Sequence, residues 1–233
     1  MFTKIYEVIV SLYTQFYETM IVDGRWMLIV EGLGNTLLIA LCAIIIGTFI
    51  GCVLALFKLS KNIVLRAIAT TYTTIIRGIP LATQLMIFYF VIFAKVGWDS
   101  RIVAIIGFGI NSGAYVAEIF RAGIQGVDLG QSEAGRSLGL NKRQTMTKIV
   151  LPQAIKAVLP TYTSEFIALI KETSIVSFIT VMDLTKASDM IRNATYDPWT
   201  PLFTAAVIYL ALTYGLTKLF AVLERRLARS DRG

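Results

Sequence analysis

Between Trp26 and Phe57 the chain is almost entirely apolar, and its strongest polar interruptions, Glu31 and Asn35, come early in the run. A stretch of that length crosses a bilayer as a helix: about 20 residues suffice, and a helix pairs every backbone polar group within itself. Four more apolar stretches follow, Leu81 to Val96, Ile102 to Phe120, Ala157 to Met182 and Leu202 to Leu223. Of the 233 residues 56% are apolar and only 16% charged, with a mean hydropathy of +0.69, beyond the range of an ordinary soluble domain. The pattern predicts an all-α integral membrane protein with about five transmembrane helices.

The same composition closes off several kinds of chemistry. The chain has no histidine, which excludes imidazole-based catalysis and histidine metal sites. Its two cysteines, Cys42 and Cys52, sit ten apart in one helical run and turn toward different faces, so neither a disulfide nor a metal site is expected. No G-x-x-x-x-G-K-[ST] occurs, and no nucleophile sits beside a base. No catalytic residue is assigned, and the chain reads as a non-enzyme. No basic start, short apolar core and small-residue cleavage site stand together at the beginning, so the spans themselves are expected to direct insertion.

Residues 1–25 are too polar for a span, carrying Lys4, Glu7, Glu18 and Asp23 among Ile, Val and Tyr, and suit a helix lying at the outer interface. Residues 26–225 form the transmembrane domain, and 226–233 a basic tail. Gly47-x-x-x-Gly51 in the first span either admits a second helix closely or is a chance spacing. Pro80, after Gly78-Ile79, can start the second span because its missing N–H is not needed there.

Five spans put the termini on opposite sides, and the cations choose between the two orientations. With the N-terminus outside, fifteen of the twenty-two Lys and Arg face the cytoplasm: four in 58–79, six in 121–156 and five from Lys218 onward. Six fall outside and Lys171 lies within a span. By the positive-inside rule the N-terminus is outside and the C-terminus cytoplasmic. The net charge of +7 is then insertion bias and contact with membrane lipid, and no nucleic-acid surface is expected.

Within the cytoplasmic segment 121–156 lies a polar island, Gln131 to Pro152, punctuated like two short helices. Gly139 can supply the positive-φ residue that ends the first, and Asn141 with Gln144 has the spacing of a capping box that starts the second. Glu133-Ala134-Gly135, then Gly139, then Ile149-x-Leu151-Pro152 resembles the EAA loop of the membrane subunits of bacterial ABC importers, with Gly135 where that family usually has Ala. Gly32-x-Gly34-Asn35-Thr36-Leu37, Arg77-Gly78-Ile79-Pro80-Leu81-x-x-Gln84-Leu85, Ala114-Tyr115-x-x-Glu118-x-x-Arg121-x-Gly123 and Lys171-Glu172-Thr173-Ser174 resemble the polar amino-acid branch of those permeases, which more often has Asp at the position of Glu172.

The resemblance implies the type I ABC importer permease fold in a bacterial cytoplasmic membrane, and alternating access driven by ATP and Mg bound on a separate chain. It also implies a second permease subunit, identical or homologous, two ATPase subunits and an extracytoplasmic substrate-binding protein, for which the outward segment 183–198 is one docking place. Glu133, Ala134, Gly135, Gly139, Ile149, Leu151 and Pro152 would couple to the ATPase.

For the substrate path the candidates are the polar groups within spans, since a charge in mid-membrane is costly and faces a cavity or a partner. Glu165 leads, as a carboxylate for an α-ammonium or a cationic side chain; internal pairing with Lys171 or Lys156 is the competing reading. Gln84, Asn111, Tyr115, Ser164, Lys171 and Glu172 complete the set, each open to the alternative of a helix-packing contact. Glu118 and Arg121, three apart, are expected to pair along one helix face, and Pro152 and Pro160 to kink the entry to the fourth span. Rival readings are a permease for methionine, an opine or another small polar solute, and a passive channel or ion-coupled carrier. No internal inverted repeat is visible to favour the carrier.

Overall fold

The computed structural model describes residues 2–229, and its regular elements are all helical; the basic tail expected over 226–233 lies outside the described residues from position 230 onward. The ten α-helices are α1 (Phe2–Phe16), α2 (Trp26–Leu59), α3 (Ile63–Gly78), α4 (Leu81–Ile87), α5 (Ser100–Gln125), α6 (Leu129–Ser137), α7 (Lys142–Thr145), α8 (Leu151–Glu172), α9 (Leu184–Thr195) and α10 (Trp199–Arg229). By length and apolarity α2, α5 and α10 qualify as spans, and α3 with α4 makes a fourth as a pair bent by 103°. The fifth expected span, Ala157 to Met182, is helical in α8 only to Glu172 and continues as a 3-10 segment, Thr173–Ile179. With Lys156, Glu165, Lys171 and Glu172 it does not reach the apolarity of the other four.

α2 and α5 form the centre of the bundle, and their contact is set by small residues on both sides. A Cβ at Gly47 would fall 2.8 Å from Ser112 Cβ, and one at Gly51 would fall 2.5 Å from Val116 Cγ1. In return, a Cβ at Gly109 or Gly113 would fall 2.7 Å from the Cγ2 of Ile46 or Ile50. Gly51, Gly109 and Gly113 thus admit branched side chains of the facing helix and Gly47 admits Ser112, so the Gly47-x-x-x-Gly51 spacing is a packing surface. Between helices in lipid, where apolar burial supplies little net drive, such close approach supplies dispersion contacts in its place. Ser112 Oγ is buried in this seam, the one such side-chain oxygen among the described residues without a hydrogen-bond partner.

The outer half of α2 holds α9. Gly32 lies against the Asp183 backbone, Asn35 Nδ2 donates to the Met182 carbonyl at 2.8 Å, and the Leu184 N–H donates to Thr36 Oγ1 at 3.2 Å. Asp183 is fully buried and caps α9, accepting from the Thr185 and Lys186 amides at 2.9 and 3.0 Å and from the Tyr209 hydroxyl of α10 at 3.2 Å. Segment 183–198 is therefore more than an outward loop: Leu184, Ala187, Ser188 and Ile191 pack inward, while Lys186 and Arg192 each pair with Asp189, three residues away, on the other face.

Residues 58–79, read as a cytoplasmic connection, largely form α3. Asn62 caps it, with Oδ1 accepting from the Val64 amide at 2.8 Å. α3 packs lengthwise on α2 and α5: Ala69 is buried with Leu54 and Ala117, and Tyr72 donates to the Ile110 carbonyl at 2.8 Å. Arg77 then lies with its guanidinium 5.1 Å from the centre of the Tyr115 ring, midway along α5, and leaves the set of cytoplasmic cations. The remaining distribution keeps the same orientation.

α1 is exposed along its length, and the following turn is fastened to the outer corner of α10. Thr19 Oγ1 donates to Asp197 Oδ2 at 3.0 Å, while Asp197 Oδ1 accepts from the Trp199 amide at 2.9 Å. Burial pushes the Asp197 carboxyl up, but the hydrogen bonds from Thr200, the Trp199 amide and Thr19 outweigh it and leave the group below its ordinary value of 3.8. A carboxyl lowered by folding stabilises above its unfolded value and loses that contribution as pH falls through the folded one. Protection of the 17–24 amides, measured against their intrinsic exchange at each pH, should therefore hold steady from neutral pH to about pH 5 and fall only below the ordinary carboxylate range.

Filling the α2–α5 seam should be costly in proportion to what the added atoms meet. Gly51→Val, which drives methyls into Val116 and the Ala117 amide, should lower stability by about 1–3 kcal/mol or more. Ser112→Ala, which deletes an unpaired hydroxyl, should be neutral or stabilising. Thermal scans of the detergent-solubilised protein distinguish the two; equal losses would contradict the interlock.

Candidate functional site

The polar island folds as a closed hairpin of two helices. Asp128 caps α6, its Oδ1 accepting from the Gly130 amide at 2.6 Å. At the other end Gly139 takes φ +83°; its amide donates to the Arg136 carbonyl at 3.0 Å, and the Leu140 amide donates to the Gly135 carbonyl at 3.1 Å. Those two bonds form a Schellman ending, which satisfies carbonyls the helix would otherwise leave open. Asn141 Oδ1 accepts from the Gln144 amide and Gln144 Oε1 from the Asn141 amide, both at 2.9 Å, so the capping box closes in both directions.

Gly135 is the contact point between the two arms. It is buried, and a Cβ there would fall 2.5 Å from Ile149 Cδ1 and 3.2 Å from Thr145 Cγ2. Ile149 thus packs behind the loop, while Glu133, Ala134, Leu138 and Gly139 are exposed, Leu138 at 82%. An outward surface results: small and acidic at one end, apolar at Leu129 and Leu138, and fringed by Arg136, Lys142 and Arg143.

α7 runs on in helical conformation past Thr145. It passes through a π turn, Met146–Val150, directly into α8, whose first two residues are Leu151 and Pro152. The wide turn lies where Pro152 removes the N–H that would pair with the Lys148 carbonyl, so the ladder changes register without breaking. Pro160 sits inside α8, and its carbonyl accepts from Thr163 Oγ1 and Ser164 Oγ at 3.0 and 2.8 Å.

The substrate-path candidates divide into three places. Gln84 and Asn111 belong to a clasp: Gln84 Nε2 donates to the Ile76 and Ile79 carbonyls at 2.6 and 2.7 Å across the α3–α4 bend, and Asn111 Nδ2 donates to Gln84 Oε1 at 3.3 Å. Tyr115, one turn along α5 from Asn111, lies under Arg77. Glu165 is half-buried on α8 with Arg77 and Glu172 as its charged neighbours, and makes no ion pair within 4.0 Å among the described residues; pairing with Lys171 does not form. Ser164 and Lys171 instead line a separate cleft of about 370 Å³ between α8 and α10, with Thr163, Thr217 and Glu224.

Several groups escaped sequence reasoning. Arg77 reads as a loop cation, Asp183 as a surface carboxylate and Glu224 carries no assigned role, and only their long-range partners show otherwise. Glu118 pairs with Arg121 at 2.7 Å as expected, and it also binds Lys58 at the end of α2. In the KETS segment Thr173 is fully buried and donates to the Ile170 carbonyl at 2.7 Å.

A bundle of apolar helices in close small-residue contact, with a capped polar hairpin outside it, defines an integral membrane protein. Residues 43–229 match the family model of the binding-protein-dependent transport system inner membrane component, and the chain belongs to that family. Its relatives include a Rickettsia bellii protein named as a glutamine transport system permease, GlnP, 42% identical over 86% of this chain and 93% of that one. The arginine transport system permease ArtQ of Bacillus subtilis is 40% identical over 87% and 94%. Among solved structures, the crystal structure of an amino acid ABC transporter with histidines superposes with a TM-score of 0.82 at 40% identity, covering 88% of this chain and 96% of that one. The inward-facing methionine transporter MetNI, at 20% identity, shares the fold with a TM-score of 0.76.

Asn141→Ala should remove one half of the capping box at a cost of about 1 kcal/mol, read as faster amide exchange over 141–145. Gly135→Ala should be tolerated, since the nearest atom is the rotatable end of Ile149, Thr145 Cγ2 at 3.2 Å needs to give by only a few tenths of an ångström, and alanine favours the helix by up to about 1 kcal/mol. Equal losses from the two would contradict the assigned contacts.

Proposed function

We propose that this chain is the permease subunit of an ATP-driven importer for polar amino acids in a bacterial cytoplasmic membrane. The N-terminus and α9 face outward and the hairpin inward. The chain pairs with a second permease subunit, identical or homologous, and two ATPase chains bind ATP and Mg and dock on the hairpin. An extracytoplasmic binding protein delivers the amino acid to the outer face.

The observation that carries this reading is the hairpin. Both of its turns are closed by their own hydrogen bonds, so Leu129, Ala134 and Leu138 are presented on a rigid surface, as an apolar-centred docking face requires. The amino-acid assignment is supported by the glutamine and arginine permeases at about 40% identity. A neighbouring-solute reading has one point in its favour, the nopaline transport system permease NocM of Agrobacterium fabrum at 36% identity.

ATP hydrolysis by the reconstituted complex, with its ATPase and binding protein, tests both parts. Stimulation by one or more of Gln, Arg, His and Glu is expected, whereas stimulation by nopaline alone would move the assignment to opines. In Glu165→Gln the stimulation should fall at least tenfold if the carboxylate binds the substrate; unchanged stimulation returns Glu165 to packing. Gly139→Val, forcing a β-branched residue to φ +83°, should uncouple hydrolysis from transport, and intact coupled transport would refute the docking role.

A further inference from the structure

The cleft between α8 and α10 has a carboxylate of its own, apart from Glu165. At one end Glu224 of α10 meets Thr163 of α8, whose Oγ1 donates to Glu224 Oε1 at 3.0 Å. Thr163 is buried, and its single hydroxyl hydrogen is available to Glu224 because Ser164 Oγ serves the Pro160 carbonyl at 2.8 Å. The other carboxylate oxygen, Oε2, has no hydrogen-bond or ion-pair partner among the described residues, and Glu224 lines the cleft.

Along the cleft the groups run polar, apolar, polar. Lys171, eight residues beyond Thr163 and so about 12 Å along α8, forms the other end with Thr217 of α10, and its ammonium is exposed there. Ile167 lies midway between Thr163 and Lys171, and Phe220 lies midway between Thr217 and Glu224, so the walls between the two ends are apolar. The volume of about 370 Å³ falls within the range of about 300–1,000 Å³ that small-molecule sites occupy. A carboxylate, an apolar middle and an ammonium at the far end complement a solute that carries a cation, an aliphatic stem and an anion in that order. α10 runs toward the cytoplasm, so Glu224 stands at the inner end of the cleft.

We propose that the α8–α10 cleft binds a basic amino acid in extended form, with its side-chain guanidinium or ammonium on Glu224, its stem between Ile167 and Phe220, and its α-carboxylate toward Lys171. The assignment rests on the amino-acid reading and narrows it, since glutamine and glutamate offer Glu224 no side-chain cation. Thr163 positions the carboxylate. Glu165, outside the cleft, has no part in choosing the side chain. Were Glu224 only a tie between α10 and α8, its loss would weaken every ligand alike.

The test compares L-arginine with L-citrulline, which has the same length and a neutral side chain. Binding is measured on the permease–ATPase complex, without binding protein, in nanodiscs of phosphatidylglycerol and phosphatidylcholine. The wild-type complex should bind arginine about ten- to a hundredfold more tightly than citrulline. Glu224→Gln should erase that preference by weakening arginine alone, Thr163→Val should reduce it in part, and Glu165→Gln should leave the ratio unchanged. Lys171→Gln should weaken both ligands. Equal wild-type affinity for the two overturns the assignment without recourse to a variant, as does a preference that survives in Glu224→Gln or an equal weakening of both ligands by it. Binding of glutamine or glutamate where arginine fails would overturn it as well and leave the amino-acid reading standing, whereas failure of every one of these amino acids to bind would overturn that reading itself.

Discussion

The close approach of α2 and α5 is the constraint on which the other contacts depend. Gly51, Gly109 and Gly113 let branched side chains of the facing helix enter and Gly47 admits Ser112, so the two backbones lie nearer than any pair of larger residues would permit. That separation places Thr48 at 2.6 Å from the Tyr162 hydroxyl of α8, and it lets Lys58 of α2 reach Glu118 of α5. A wider seam would part both pairs and leave buried polar groups without partners, at a cost larger than the packing lost in the seam itself. Small residues in the centre therefore decide which polar pairs form at the edges.

How much of this was legible in the sequence follows the range of the interactions. The Gly139 ending and the Asn141–Gln144 box are local, their partners lie within five residues, and both form as read. The Glu118–Arg121 pair, at helical spacing, was equally accessible. Hydropathy located α2, α5 and α10, because long apolar runs have few other solutions in a bilayer. It left α3 between a cytoplasmic connection and a backward extension of the second span; α3 and α4 pass together as one bent span, packed through Ala69, Tyr72 and Thr73, a stripe that a window average dilutes among Thr residues and four nearby cations. Asp183 was misplaced for a related reason. A carboxylate in a polar segment reads as solvated until Tyr209, twenty-six residues on, is seen to donate to it.

The same distinction reshapes the candidate site. Gln84 and Asn111 read as lining groups, but their hydrogen bonds are spent on holding the α3–α4 bend. The motifs that resemble the amino-acid branch are in large part structural: Gly32, Asn35 and Thr36 seat α9, and Gly123 is where Val158 of α8 crosses α5. A motif can mark a family through the contacts that hold its helices together as readily as through the groups that touch a ligand.

The continuity of α7 with α8 gives the proposed coupling a physical route. From Lys142 the helix runs through the π turn and Pro152 to Glu172, so the hairpin and Glu165 lie on one rod. The rod touches the central pair through Tyr162, which stacks on Phe120 with ring centres 5.8 Å apart and hydrogen-bonds Thr48. Below that point Ile155 is exposed, while Gly123 and Val158 make the closest crossing. Force on the hairpin would then turn α8 about the Tyr162 contact and carry Glu165, three residues further along, with it. A carboxylate in the substrate path, carried on a helix that the hairpin itself continues, would change the side it faces as the hairpin moves, as alternating access requires.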